Sequence, residues 1–170
     1  MDLLHSQLDP LAIALVGWIP TVVGFAIRNL VYRACGMRAK GFFWIQPRVT
    51  IDNLHRLRVG RNFGCNSGTY INAIGGIECG DDVLIGANVT ISSGRHEIDR
   101  LTSSIYQTPV VPKPITIESG VWIGAGASIL ANLRVAEGTV VGANCVVTKD
   151  TEPFSVVVGV PGRRIRFRIR

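Results

Sequence analysis

Six aliphatic residues stand six apart without a break, Ile117, Ile123, Ile129, Val135, Val141 and Val147, and every one is β-branched. Neither an α-helix nor an ordinary hairpin repeats at six. Residues at that period point the same way when each hexad is one short strand plus one turn, and three hexads close a triangular coil. The pattern therefore predicts a parallel β-helix. A second row, Val121, Ala127, Leu133, Thr139 and Cys145, follows the first by four places and shares the interior, because alternate strand residues face one side. Between the rows lie Gly124, Gly126, Gly138, Gly142 and Asn144, residue types that suit tight corners where φ is often positive.

The upstream half carries the same register in Val59, Cys65 and Ile71, then, after a two-residue slip, in Cys79, Ile85 and Ile91. Ile91 and Ile117 are four hexads plus two residues apart, so the coil is interrupted and residues 92–114 must loop out. Long excursions on rigid scaffolds are where function concentrates.

Ahead of the repeats, Pro10 to Ile27 is an uncharged run of eighteen residues, at the lower length limit for a membrane span. Asp9 followed by Pro10 is a good helix start. Gly17, Pro20 and Gly24 interrupt the run, and Arg28, Asn29, Tyr32 and Arg33 give its second half a polar face, which predicts two short helices joined at Pro20. The chain thus divides into a helical appendage over residues 1–40 and a β-helix domain over residues 41–170, the latter with the excursion and a C-terminal cap over residues 151–170. Three arrangements of the appendage remain open. Residues 9–34 form an interfacial helical pair with arginines on lipid headgroups, a lid packed on the coil or on a neighbouring subunit, or a true span. Asp2 and Asp9, with no Ala-x-Ala site after them, argue against a cleaved signal peptide. The cations Arg28, Arg33, Arg38 and Lys40 favour a cytoplasmic catalytic domain, peripheral on the inner face of the cytoplasmic membrane if the appendage binds lipid.

At 170 residues there is room for one catalytic domain and a modest appendage. Three of the four cysteines, Cys65, Cys79 and Cys145, fall on inward repeat positions as small apolar fillers, at spacings that match no zinc motif. The net charge of +6 is uneven, with Arg163, Arg164, Arg166, Arg168 and Arg170 crowded into the last eight residues. No aromatic platform or reading helix accompanies them, so nucleic acid is not the expected partner, and phosphate groups of a cofactor or a lipid are. Of the three histidines, His5 and His55 suit solvated surface roles. His96 opens the excursion and is the natural base, near neutral pKa, for taking a proton from an attacking hydroxyl or amine.

From Val59 to Arg166 the chain resembles the hexapeptide-repeat acyltransferases, in their maltose, galactoside and polysaccharide O-acetyltransferase branch. The resemblance rests on Ile117-Glu-Ser-Gly-Val-Trp-Ile-Gly124, Val141-Gly-Ala-Asn-Cys-Val-Val-Thr-Lys-Asp150 and Ser155-Val-Val-Val-Gly-Val-Pro161. It implies an all-β fold, a left-handed parallel β-helix, a hand that periodicity does not supply because parallel crossovers are otherwise nearly always right-handed. It also implies a homotrimer using acetyl-CoA, with His96 of one chain facing the Trp122 to Ala125 side of the next. His96 is then the general base. The family's His-x-x-Asp context leaves its orienting group open between Asp99, Glu97 and a backbone carbonyl. Tyr70-Ile-Asn72 matches the family's Tyr-x-Asn and places Tyr70 and Asn72 at the acceptor. The Ala125 amide is the oxyanion donor, and Trp122 borders the acyl tunnel. Ala125 and Ala143 line the pantetheine arm, Thr148 and Lys149 the adenine end, and Arg163 and Arg166 the phosphates. The expected reaction is direct acetyl transfer to a sugar hydroxyl of a surface polysaccharide or lipid-linked precursor, with no metal. The alternatives are a sugar N-acyltransferase and a non-catalytic scaffold of the same fold. A zinc carbonic anhydrase on this coil needs three histidine ligands, and only His96 is near the loop.

Overall fold

The computed structural model describes residues 14–98 and 104–169. Five coils of three short strands stack into a triangular prism. They are β1 (Arg38–Ala39), β2 (Phe43–Ile45) and β3 (Thr50–Asp52); β4 (Leu57–Val59), β5 (Phe63–Cys65) and β6 (Tyr70–Asn72); and β7 (Ile77–Cys79), β8 (Leu84–Ile85) and β9 (Thr90–Ser92). The excursion carries β10 (Gly94–His96) and β11 (Val110–Pro112), which pair antiparallel with each other. The coil resumes in β12 (Ile115–Ile117), β13 (Trp122–Ile123) and β14 (Ser128–Ile129), then β15 (Leu133–Val135), β16 (Val140–Val141) and β17 (Val146–Val147). β18 (Ser155–Val158) begins a sixth coil and β19 (Arg163–Phe167) folds back on it.

Each coil strand pairs in parallel with the equivalent strand above and below, which makes three sheets, one per face. The first face is β1-β4-β7-β12-β15, the second β2-β5-β8-β13-β16-β18 with β19 at its edge, and the third β3-β6-β9-β14-β17. Both predicted rows point inward: Ile117, Ile123, Ile129, Val135, Val141 and Val147 are buried, as are Val121, Ala127, Leu133, Thr139 and Cys145. The stack extends one coil below Val59, because Ile45 and Ile51 occupy the same interior columns as Cys65 and Ile71.

Corner glycines meet two different demands. Gly126 has φ of 71° and Gly138 of 64°, the left-handed geometry that Asn88 and Asn144 also adopt at equivalent corners. Gly124 is needed for closeness instead, since a Cβ there would lie 2.7 Å from the Ala143 nitrogen in the coil above.

The slip and the excursion are one device. Residues 73–76 lengthen the corner after β6, and the backbone of Gly75 lies against the two stems of the loop. A Cβ at Gly75 would stand 2.5 Å from the Ser93 oxygen and the Lys113 nitrogen. Ser93 ties the joint, accepting from the Gly75 N–H at 2.8 Å and donating to the Asn72 carbonyl at 2.9 Å, while the Lys113 N–H donates to the Ser93 carbonyl at 2.7 Å.

Below the first coil, residues 14–16 are helical, and α1 (Thr21–Ala34) begins after Pro20, as the interrupted run predicts. Arg28, Asn29 and Tyr32 turn inward onto the coil. Among the described residues no helix is long and apolar enough to cross a membrane.

Interior and outward positions of one strand should differ sharply in stability. Ile117→Ala removes buried methyl groups and should cost about 2–5 kcal/mol, whereas Thr116→Ala, exposed on the same strand, should stay within about 0.5 kcal/mol. Urea unfolding of the two variants checks this, and equal costs would contradict the assigned register.

Candidate active site

The excursion aims His96 through the antiparallel pairing of β10 with β11, in which His96 stands opposite Val110. Its Nδ1 lies 3.2 Å from the Thr108 carbonyl oxygen and 3.4 Å from Thr108 Oγ1. That hydroxyl donates to the Ile105 carbonyl at 2.7 Å, so both Thr108 oxygens present lone pairs to Nδ1. Nδ1 therefore carries the proton, and Nε2 keeps the lone pair a general base needs. Among the described residues, the candidate orienting group that reaches the ring is a backbone carbonyl, that of Thr108. Glu97 makes no described contact with His96, and Asp99 lies outside the described residues. Thr108 carries no sequence signal, because its proximity depends on hairpin register across twelve residues.

Tyr70 and Asn72 open and close β6 on the third face, with Asn72 at the end from which the excursion leaves. Asn72 pairs laterally with Ser92, and its Oδ1 accepts from the Ile74 N–H at 3.1 Å and from Asn53 at 3.3 Å. The amide oxygen is thus occupied in holding the lengthened corner. Tyr70 donates to Asp52 Oδ2 at 2.6 Å. That hydrogen bond, then burial and the Asp52 charge, push the Tyr70 hydroxyl up to about 12 against an opposing contact from Asn72. Tyr70 is therefore a neutral polar group at neutral pH, not a competing base.

Trp122 and Ala125 occupy a different part of the prism. Trp122 projects outward from the second face and is half exposed, while Ala125 sits on the corner between the second and third faces. The corner stacks in register: the Gly126 N–H donates to the Ala87 carbonyl and the Asn144 N–H to the Ala125 carbonyl, each at 2.9 Å. Ala125 and Ala143 therefore stand one above the other along this edge, both exposed. The Ala125 N–H has no described backbone acceptor, and neither have those of Ala87 and Ala143. A free donor is thus a property of the whole edge.

At the top of the coil, Thr148 and Lys149 follow β17, on the edge opposite Ala125 and Ala143. Lys149 shares a cavity of about 270 Å³ with Asp150, Ser155, Gly162, Arg163 and Arg164. Arg163 and Arg166 would face opposite ways on a regular strand, three residues apart. An irregularity in β19 at Ile165 changes that: Arg163 pairs with Val158 and Arg166 with Val156, so both guanidinium groups leave the same side. Neither has a carboxylate partner among the described residues, whereas Arg164 is bound to Glu152 at 2.9 Å. Two guanidinium groups without a described carboxylate partner thus concentrate positive charge on one side, and sequence spacing alone does not reveal the bulge that unites them.

No three His, Cys, Asp or Glu side chains converge as metal ligands among the described residues. The structure thus sets His96 on the excursion, Tyr70 and Asn72 on the third face, Ala125 and Ala143 stacked on the corner between the second and third faces, and Arg163 and Arg166 on one side of β19.

Known proteins match this chain in sequence and fold. The family described as bacterial transferase hexapeptide (six repeats) matches residues 114–149, and the hexapeptide repeat of succinyl-transferase matches residues 58–93. Galactoside O-acetyltransferase of Escherichia coli K12 is 36% identical over 126 residues, covering 72% of this chain and 60% of that protein. The chain spans about 60% of the length of the first curated relatives it matches. The structure of a galactoside acetyltransferase in complex with coenzyme A superposes with a TM-score of 0.87 at 28% identity, over 96% of this chain and 80% of that one. A maltose O-acetyltransferase from Clostridium difficile 630 gives 0.83 at 26%, over 98% and 89%. Hexad register, stacked coils and these likenesses, including the left hand of the β-helix, are those of one group of proteins, and the chain belongs to the hexapeptide-repeat acyltransferase family.

Proposed function

We propose that the protein is an acetyl-CoA-dependent acetyltransferase that acylates a hydroxyl of a sugar, in a site shared between subunits of a homotrimer. The observation that carries the reading is the 3.2 Å approach of His96 Nδ1 to the Thr108 carbonyl oxygen, an acceptor that favours the proton on Nδ1 and leaves Nε2 as the base. It is supported by the likeness to a galactoside acetyltransferase in complex with coenzyme A. Nε2 takes the proton of the acceptor hydroxyl as its oxygen attacks the thioester carbonyl. The oxyanion is met by the Ala125 N–H, and collapse expels the coenzyme A thiolate, which recovers the proton from the imidazolium. Atoms and charge balance without an acyl-enzyme. Tyr70 and Asn72 border the acceptor, Trp122 the acetyl group, Ala125 and Ala143 the pantetheine arm, Thr148 and Lys149 the adenine end, and Arg163 and Arg166 the phosphates.

Two features support assembly. In a single chain the stem of the His96 loop and the Ala125 corner stand on opposite edges of the third face. A face three residues wide spans roughly 10 Å, whereas a base must reach its proton within about 3 Å. A second chain placing its Ala125 edge beside the loop closes that gap. The outward ladders also differ by face. The first carries Arg38, Arg58, Glu78, Thr116 and Arg134, the third Thr50, Tyr70, Thr90 and Ser128, and the second Trp44, Leu84 and Trp122, each about half exposed. An apolar ladder beside a polar one suits a head-to-tail ring in which the second face is covered by a neighbour.

His96→Ala should lower turnover by roughly 100-fold or more while leaving thermal stabilisation by acetyl-CoA intact; near-normal turnover would remove His96 from the mechanism. Replacing Arg163 and Arg166 together with alanine should raise KM for acetyl-CoA much more than for acetyl-pantetheine, which lacks the nucleotide phosphates, and equal effects on both donors would assign the pair elsewhere. The shared site has its own test in co-expression of His96→Ala with Ala125→Trp, each inactive alone. Random mixing regenerates about a quarter of the interfaces in a closed ring, so recovered activity is expected, and none would put the whole site in one chain.

A further inference from the structure

The helix below the coil buries polar groups and exposes apolar ones. On its inward side, beside Ile27 and Val31 packed against the core, Arg28 and Tyr32 are fully buried and Asn29 nearly so. Arg28 donates through Nε to the Ile45 carbonyl at 2.7 Å and through one terminal nitrogen to the carbonyls of Val16 at 3.0 Å and Ile19 at 2.8 Å. Asn29 exchanges two hydrogen bonds with the Phe43 backbone, at 2.8 and 3.2 Å. The outward residues are apolar: Leu15 is 68% exposed, Trp18 70%, Val22 74%, Val23 62% and Leu30 73%. Val22, Ala26 and Leu30 recur at helical spacing and so share one outward side of α1. A terminal cap of a stacked-repeat protein needs a polar outer face to stay in water. This cap has the reverse.

We infer that this end of the molecule docks on an anionic lipid bilayer, with the apolar side of α1 and Trp18 at the headgroup boundary. Charge selects that occupant. From residue 14 to residue 51 the chain contains Arg28, Arg33, Arg38, Lys40 and Arg48 and no Asp or Glu. Arg33, Arg38, Lys40 and Arg48 are exposed, and Arg48 shares a cavity of about 360 Å³ with Trp18. Asp52, the nearest carboxylate at that cavity, is engaged by Tyr70. A second copy presenting the same end would bring like charges together, whereas anionic headgroups attract them. Length sets the geometry: fourteen residues of α1 extend about 21 Å, short of the roughly 30 Å hydrocarbon core. The helix lies along the surface, and the inward Arg28, Asn29 and Tyr32 keep the coil attached to its dry side.

The test is flotation of the full chain with vesicles, read independently of catalysis. The protein should float with phosphatidylcholine vesicles containing phosphatidylglycerol, less with pure phosphatidylcholine, and less again in high salt. The triple substitution Val22→Ser, Val23→Ser and Leu30→Ser should reduce partitioning by about tenfold or more, with circular dichroism and acetyl transfer retained. Absence of flotation by the unsubstituted chain would overturn the inference. So would undiminished flotation of the triple variant. A lipid-free oligomer that dissociates on the same substitutions would assign the patch to a second copy and overturn it equally.

Discussion

Everything in this molecule depends on how closely one coil can lie on the next. Parallel strands in a ladder stand about 4.8 Å apart, and at the corners the backbones approach further still. A Cβ at Gly60 would fall 2.4 Å from the Gly80 oxygen, and one at Gly86 2.7 Å from the Ala125 nitrogen. Corners so tight accept only residues that tolerate left-handed φ or have no side chain to place. The interior is equally narrow, so each inward site takes one aliphatic or similarly small group and no more. A scaffold with those two limits cannot vary inward. Its chemistry has to be displayed on the outward positions, on the corner edges, or in residues that leave the coil.

That restriction explains why the fold was readable from the chain. An inward column fixes residue type every sixth position, so Ile117 to Val147 declare the coil without any tertiary information. The slip after Ile71 was visible as a break in register, but its purpose was not. Gly75 and Ser93 are eighteen residues apart and meet because a full coil intervenes. The candidacy of His96 as a base rests on its place at the loop mouth together with the family resemblance. What holds its tautomer did not show, because the partner is a main-chain carbonyl, and main-chain groups have no sequence signature. The bulge that brings Arg163 and Arg166 to one side was hidden for a similar reason: it is an irregularity of pairing with β18, not of composition.

The two ends of the prism solve one problem in different ways. A stack of coils ends in an interior column with no next layer, and both ends must be covered. At the top, β19 folds back along β18, and the Gly162 N–H reaches the Val146 carbonyl at 2.7 Å, so main chain closes the third face. The residues left outside are largely arginines, available to phosphate. At the bottom, α1 supplies the cover, and Arg28 is its anchor. A buried guanidinium without a carboxylate is costly, and burial lowers its pKa accordingly. Three carbonyls, from Val16, Ile19 and Ile45, offset that cost because the planar group can donate in several directions at once.

Lysine could not replace it, since one ammonium cannot span acceptors on a helical turn, the Ile19 segment and a strand together. The amphipathic reading of the first forty residues therefore had the right polar residues and an open question of direction. Polarity alone predicts that Arg28, Asn29 and Tyr32 face water. They turn inward because the end of the coil is not purely apolar: strand β2 presents unpaired main-chain groups along its lower edge, at Phe43 and Ile45. A sheet edge must be paired or covered, and side chains that carry donors and acceptors can do both. Once the polar side of α1 is committed to that edge, its apolar side has only the outside left to face. The orientation of the helix thus follows from the unsatisfied edge of the first coil rather than from the helix's own pattern.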